Sequence, residues 1–339
     1  MIDNYYAERT AQAIFTVFAV ASLSFGLIRL MPGGPIDFIR AQMIQEQGTD
    51  ADMERVNSMV ESYTNVRPDD PLYIQYVDYM TELIQGDMGV SMWYNEPVSG
   101  ILAEALPWTV FVMAISLALT FAIGITLGAV MAYIEGSRFD VSTTLVSVFL
   151  NSIPYYVMAV LLVYLLGYQL SWFPTGGRFS SDVTIGMNLE FLANAFHHAF
   201  LPIVSIVVTG FGIQALAMRG NSIRVLGEDY IRVARLRGLP PHDIALRYVG
   251  RNAILPMYTG MMISIGFLFG GSVILEEIFT YPGIGYYMFR GIESRDYPLM
   301  MGAFLLITVA VVIGIYVADL TYGKIDPRAG TGGGDREAY

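Results

Sequence analysis

The chain has 339 residues, of which 54% are hydrophobic and only 14% charged, with a formal net charge of −11. An ordinary soluble domain carries roughly 25% charged residues, so for much of this chain the solvent is lipid and not water. There is no cysteine, which excludes disulfides and thiolate metal sites, and His197, His198 and His242 are the whole imidazole inventory.

A hydrocarbon core of about 30 Å takes about 20 apolar residues per helix. Six stretches satisfy this: Ala11 to Leu30, Trp108 to Ile134, Thr144 to Leu170, Ala199 to Met218, Ala253 to Leu275 and Leu299 to Leu320. They predict an all-α integral membrane protein with six transmembrane helices. Residues 1–30 hold a short tail and the first helix. Only Arg9 precedes its apolar run and no small-residue cleavage site follows, so it reads as a retained helix and not a signal peptide.

Residues 31–107 carry thirteen acidic side chains against three basic ones, so one segment holds nearly all of the excess charge. Turn-forming residues punctuate it: Met31-Pro32-Gly33-Gly34-Pro35 ends the first helix and Gly86-Asp87-Met88-Gly89 makes a second turn. Leu72, Ile74, Tyr76, Val77, Met80 and Leu83 supply an apolar face, which predicts a small folded cap between helices one and two. Of nineteen basic residues only Lys324 is a lysine, a composition that fits a salt-loaded environment as well as ordinary drift.

Residues 108–322 hold helices two to six. The third is interrupted by Asn151, Pro154 and Gly167, and a proline there removes a backbone bond and kinks the helix. Gly260, Gly266, Gly270 and Gly271 in the fifth permit close approach or bending. His197 and His198 precede the fourth; helix neighbours point about 100° apart, which favours interfacial packing over a shared metal ion. Glu276, Glu277 and Asp296 flank a turn at Pro282-Gly283 and read as structural before they read as contacts for cargo. Asn151, Gln214 and Ser264 are uncharged polar groups within spans, suited either to line a passage or to bond neighbouring helices. Residues 323–339 form a tail whose run Gly330-Thr331-Gly332-Gly333-Gly334 is expected to lack fixed structure.

Arginine placement sets the orientation. The N-terminal tail, the 135–140 turn, the 219–252 loop and the C-terminal tail together carry twelve basic residues, against six on the opposite side. Both termini are therefore expected in the cytoplasm of a multi-pass cell-membrane protein, with residues 31–107 as an extracellular cap.

The 219–252 loop holds seven of those arginines. Ile223, Leu226, Tyr230 and Ala234 recur at helical spacing between them. Gly238 suits the left-handed position past a helix end, Pro240 and Pro241 forbid continuation, and Pro241 fits the first turn of a second short helix through Ile244 and Tyr248. The result is a compact helical knob. By spacing alone, two bland readings compete with a projecting contact element: lying on anionic lipid and enforcing topology.

The stretch Glu228-Asp229-Tyr230-Ile231-Arg232-Val233-Ala234-Arg235-Leu236-Arg237-Gly238-Leu239, followed by Arg251-Asn252-Ala253-Ile254-Leu255-Pro256, resembles the ATPase-docking loop of binding-protein-dependent ABC importer permeases. Within these the resemblance is to the first permease subunit of the dipeptide, oligopeptide and nickel family. Arg232-Val233 stand where the Glu-Ala of the wider Glu-Ala-Ala signature would be, and only Ala234 and Gly238 of it remain, a departure typical of this subfamily. Further matches run along the chain: Arg29-Leu30-Met31-Pro32-Gly33-Gly34-Pro35, Gly86-Asp87-Met88-Gly89-Val90-Ser91, Phe200-Leu201-Pro202, Glu276-Glu277-Ile278-Phe279-Thr280-Tyr281-Pro282-Gly283-Ile284-Gly285, Arg295-Asp296-Tyr297-Pro298 and Asp326-Pro327-Arg328.

The resemblance implies a type I importer permease fold and half of a translocation pathway, with peptides as cargo and oligosaccharides or nickel as alternatives. It implies ATPase docking by Glu228, Asp229, Tyr230, Arg232, Ala234, Arg235, Arg237, Gly238, Leu239 and Pro240. It also implies a second homologous permease chain, two ATP-binding subunits that hold ATP and Mg, and an external solute-binding protein. No cofactor, metal or nucleic acid is expected on this chain. No Gly-x4-Gly-Lys-Ser/Thr phosphate loop occurs in it, so hydrolysis is expected on another polypeptide. An intramembrane enzyme would want catalytic side chains at membrane depth, and a secondary transporter an ionisable coupling residue within a span. Within the six stretches the only charged residues are Arg29 and Asp319, each one position from an end.

Overall fold

The computed structural model describes residues 2–30, 37–38, 41, 44–45, 53–65, 67, 70–240, 243–267 and 271–325. The turn expected at Met31 to Pro35, Pro241, His242, Gly270, Asp326-Pro327-Arg328 and the Gly330 to Gly334 run lie outside these residues. Among the described residues every regular element is helical, apart from an isolated bridge between Val90 and Pro97. In chain order the longer helices are α1 (Ile2–Leu30), α2 (Met53–Thr64), α3 (Leu72–Ile84), α4 (Val98–Tyr133), α5 (Arg138–Asn151), α6 (Tyr155–Leu162), α7 (Leu189–Leu226), α8 (Asp229–Leu236), α9 (Arg251–Phe267), α10 (Val273–Ile278), α11 (Ile284–Ser294) and α12 (Tyr297–Ile325). Two π-helical stretches, Val163–Gln169 and Ile244–Gly250, continue α6 and lead into α9.

Among the described residues, four helical stretches are long and apolar enough to cross a bilayer: Ala7–Leu27, Val98–Tyr133, Leu189–Leu226 and Tyr297–Val317. The third expected span is a bent pair, Arg138–Asn151 and Tyr155–Gln169, turned by 90° across Ser152, Ile153 and Pro154. Pro154 has no N–H to continue the ladder, so the expected kink becomes a corner. Of the fifth expected span, Ala253 to Leu275, the described residues hold α9 up to Phe267 and the start of α10, and residues 268–270 lie outside them.

The chain divides into two compact units. Unit 1 comprises residues 1–110, 269–277 and 282–316. One of its cores joins Phe25 of α1, Val56 and Val60 of α2, Tyr79 of α3 and Met301 of α12, with Tyr76, Met80 and Leu83 packed against them. The face that α3 buries therefore runs through Gln75, Tyr76, Tyr79, Met80 and Leu83 at helical spacing. Leu72 and Val77, expected on that face, are exposed. Val77 points about 100° away from Tyr76, and Leu72 is the first residue of the helix. A second core joins Val98, Ile101, Leu102 and Ala105 of α4 to Ile284, Leu299 and Ala303. Between these cores Asp296, fully buried, caps α12: one carboxylate oxygen accepts from the Leu299 N–H at 3.2 Å, the other from the Ser91 hydroxyl at 2.5 Å and the Trp93 N–H at 3.0 Å.

Unit 2 comprises residues 111–268, 278–281 and 317–339, and α7 is its central helix. Gly124 and Gly128, one turn apart on α4, face Phe211 to Arg219 of α7 so closely that a Cβ on either would overlap it. This small-xxx-small pattern lets two helix backbones approach where lipid offers no hydrophobic drive to associate. Gly212 of α7 makes a similar approach to the backbone of Ser147 on α5. Phe121, Met218, Ala253 and Met257 fill the space among α4, α7 and α9.

A side chain at Gly128 should force α4 off α7. Gly128→Val is expected to cost about 1–3 kcal/mol and lower the thermal midpoint of the detergent-solubilised protein. Gly100→Ala, where nothing lies within 4 Å of the added Cβ, should be neutral or stabilising by at most about 1 kcal/mol. Equal midpoints for the two variants would show that the α4–α7 contact has room for a side chain at Gly128.

Candidate functional site

The conspicuous construction in unit 2 is the knob carried at the end of α7. That helix runs on to Leu226, where Gly227 closes it, and Glu228 turns extended (φ −73, ψ 145) to start α8. The one helical stripe expected from Ile223 through Ala234, ending at Gly238, is thus split over two helices, and the break changes which residues face inward. On α8 these are Ile231 and Ala234; Tyr230, expected in the apolar stripe, is 41% exposed.

The far end of α8 follows from Gly238. It sits at φ +72, its N–H bonds to the Arg235 carbonyl at 3.0 Å, and the Leu239 N–H reaches back to the Ala234 carbonyl at 3.3 Å. These are the two bonds of a Schellman motif, and the apolar contact that accompanies it is present, Leu239 packing with Ala234 in the core of the knob. The Pro240 carbonyl then accepts from the N–H groups of Asp243 and Ile244. The second element, expected as a short helix through Ile244 and Tyr248, is the π-helical stretch Ile244–Gly250. Ile231, Ala234, Ile244 and Val249 form the core of the knob, with Val225 and Leu226 of α7 packed onto it. The Asn221 side-chain amide donates to the Ala253 carbonyl at 3.3 Å and ties the root of the knob together.

All ten residues expected at the docking loop fall in this one element. Glu228, Asp229, Tyr230, Arg232, Arg235, Arg237, Gly238 and Pro240 are exposed, Leu239 is half-buried, and Ala234 faces the interior. Val233 and Leu236, absent from the expected set, complete the outward surface with Tyr230; Leu236 is 81% exposed. Their spacing of three residues was a legible signal. Asp229 in the first turn and Arg235 in the last both complement the dipole of α8.

Below the knob, Arg219 of α7 reaches the start of α5. Its Nε and a terminal nitrogen donate to the two Asp140 carboxylate oxygens at 2.6 and 2.8 Å. Asp140 also accepts from the Gly136 N–H at 3.0 Å, while the Ser137 hydroxyl oxygen accepts from the Asp140 N–H at 3.2 Å and caps α5.

The two adjacent histidines diverge. His197 Nε2 meets the Trp172 carbonyl at 3.0 Å, whereas His198 Nδ1 meets the Gly176 carbonyl at 3.0 Å and its Nε2 the Ser180 hydroxyl at 3.1 Å. Each ring therefore orders the 172–180 loop. Among the described residues no three His, Asp or Glu side chains gather to hold a metal ion. Asn151 is exposed at the end of α5, Gln214 lies against Gly124, and the Ser264 hydroxyl donates to the Gly260 carbonyl within its own helix.

In unit 1, Glu276 and Glu277 take different parts. Glu277 pairs with Arg290 at 3.0 Å. Glu276 is 4% exposed; its oxygens accept from the Thr109 hydroxyl at 2.9 Å and the Tyr286 N–H at 3.0 Å, and the Thr109 oxygen accepts from the Ile284 N–H at 2.9 Å. Together they cap α11, whose own N-cap, Gly283, has no side chain to do so. A Cβ on Gly283 or Gly285 would run into the Glu276 carboxylate. Burial pushes this carboxyl up to about 7, against the downward pull of the Tyr286 N–H, the Thr109 hydroxyl and the Gly285 N–H.

Residues 124–331, which include the knob and the α7 stem, match the family described as the inner membrane component of binding-protein-dependent transport systems. The chain belongs to that family. It is similar to the oligopeptide transport system permease protein AppB of Bacillus subtilis (strain 168), with 32% identity across 96% of this chain and 98% of that protein. It is similar also to the di/tripeptide transport system permease protein DppB of Pseudomonas aeruginosa (strain UCBPP-PA14), at 31% identity with the same shares covered. The glutathione transport system permease protein GsiC of Escherichia coli (strain K12) is 29% identical across 96% of this chain and 98% of its own. This chain is thus an inner-membrane permease component of ABC importers and a multi-pass membrane protein, from a family whose ATPase activity resides in separate subunits.

The buried Glu276 makes a prediction about pH. A carboxyl whose pKa rises on folding adds stability below its unfolded value of 4.5, and that stability is lost as pH rises through about 7. The thermal midpoint of Glu276→Gln should therefore gain on that of wild type between about pH 5 and pH 8. A difference that stays constant over this range would show that Glu276 does not titrate there.

Proposed function

We propose that this permease forms half of the translocation pathway of an ATP-driven importer of peptides, and that an ATP-binding subunit docks on the knob. The observation that carries the reading is the rigid closure of α8, which presents Tyr230, Val233 and Leu236 outward among Arg232, Arg235 and Arg237. Exposed apolar side chains on an element held this firmly suit a partner groove better than free water. In this reading the knob makes different contacts in the two states of the ATPase, and only such a difference can shift the permease between its own states.

The six apolar stretches cross the membrane, with both termini in the cytoplasm and residues 31–107 outside, facing a solute-binding protein. The basic residues, twelve on the knob side against six opposite, support that orientation. A second, homologous permease chain completes the pathway, and two ATP-binding subunits hold ATP and Mg. Peptides are the favoured cargo because similar proteins are named for oligopeptide, di/tripeptide and glutathione transport. Nickel draws no support from His197 and His198, whose rings turn to different partners.

Two outcomes test this. No atom lies within 4 Å of a Cβ at Gly238, so Gly238→Val is penalised only by its left-handed backbone, by about 1 kcal/mol or more. It should leave membrane insertion intact while lowering uptake and transport-stimulated ATP hydrolysis together. Arg235→Glu with Arg237→Glu should weaken ATPase docking in a salt-sensitive way. Wild-type coupling in both would mean that the knob serves topology alone. For orientation, a cysteine placed at Tyr73, 71% exposed on α3, should react with impermeant reagent from outside the cell only; labelling from the cytoplasm inverts the scheme.

A further inference from the structure

We propose that the Asp140–Arg219 fork is a positioning contact for transport: it makes the first turn of α5 and the stem of the knob move as one body. Displacement of the knob is then delivered to the bent α5–α6 pair. The inference rests on the docking reading of α8 and assigns a route by which docking is felt in the membrane.

The knob cannot move without its stem, because Val225 and Leu226 pack into its core and Asn221 is bonded to Ala253. Arg219 lies on that stem about two turns before Leu226. Its partner Asp140 has a side chain only 3% exposed, with its oxygens engaged by Arg219 and the Gly136 N–H. A bidentate pair of this kind is directional, and it cannot slip by one donor without leaving a buried charge short of its partner.

A second tie lies further along the same two helices, where Gly212 approaches the Ser147 backbone. From Arg219 back to Gly212 and from Asp140 on to Ser147 the separation is seven residues in each helix, about 10 Å of rise. The helices run antiparallel, so the two ties coincide in register. One contact fixes a position; two fix an angle as well. Just past Ser147, α5 ends at Asn151 and the chain turns 90°. A change in the tilt of α7 therefore reaches that corner through α5. An apolar pair at 140 and 219 would hold the helices together about as well as a buried ion pair does, so what the charges add is direction.

The test uses the complete importer in proteoliposomes and the labelled peptide that wild type imports best. Asp140→Asn and Arg219→Lys should each raise the ATP hydrolysed per peptide imported by about fivefold, while hydrolysis itself stays within about twofold of wild type. Because the chain has no cysteine, the double variant Asp140→Cys with Arg219→Cys can be bridged by a short thiol cross-linker. It should be uncoupled when open and regain most of the wild-type ratio when bridged. If uptake and hydrolysis fall in equal proportion, tracking the amount of assembled complex, the fork merely stabilises the fold and the inference is overturned. Failure of the bridge to restore the ratio overturns it equally. Gly238→Val run in parallel separates the two claims: wild-type uptake there removes the docking reading, whereas an impaired Gly238→Val beside fork variants of normal ratio removes only this inference.

Discussion

A helix that ends leaves backbone N–H or carbonyl groups without a partner, and the architecture of this permease depends on how it meets that constraint. It does not avoid interruptions. α5 begins under a cap made by Ser137, with Asp140 bonded back to Gly136. α11 begins under Glu276 and Thr109, α12 under Asp296, and α8 ends on the left-handed Gly238. At each of these breaks the free N–H or carbonyl groups are met from within the chain. Such breaks are therefore fixed corners, and they aim the helices that leave them.

Three carboxylates do much of this capping, in different electrical surroundings. Asp140 meets a guanidinium, so its burial is compensated by charge. Glu276 has only neutral donors, the Thr109 hydroxyl and backbone N–H groups, and burial accordingly lifts its pKa towards neutrality. Asp296 spends its oxygens on Ser91, Trp93 and Leu299, which pins the 91–93 turn to the start of α12. The acidic residues weighed at first as possible cargo contacts are thus the pins of unit 1.

In unit 2 the same economy appears as close approach. Gly124, Gly128 and Gly212 remove side chains where α4 and α5 meet α7, and the one strong polar tie, Asp140 to Arg219, sits where those helices approach the knob. The knob itself has a small apolar core on one side and an arginine-studded surface on the other. A firm base and an open face are what a docking element needs.

Much of this was written locally. Runs of apolar residues announce helices in lipid, Pro154 announces the corner, and Gly238 announces the end of α8, because each effect acts within a turn or two of the residue responsible. The Gly124–Gly128 pair was equally legible. What local pattern could not give was which side of an element would be buried. The break at Gly227 rotated α8 so that Ile231 turned inward and Tyr230 outward, and α3 buried Tyr79 while exposing Val77. Nor could it pair Asp140 with Arg219, or Glu276 with Thr109, residues far apart in the chain. Periodicity reports what a helix can bury; only the antiparallel placement of one helix against another decides what it meets, because hydrogen bonds and charge pairs act over a few ångströms of space and are blind to sequence distance.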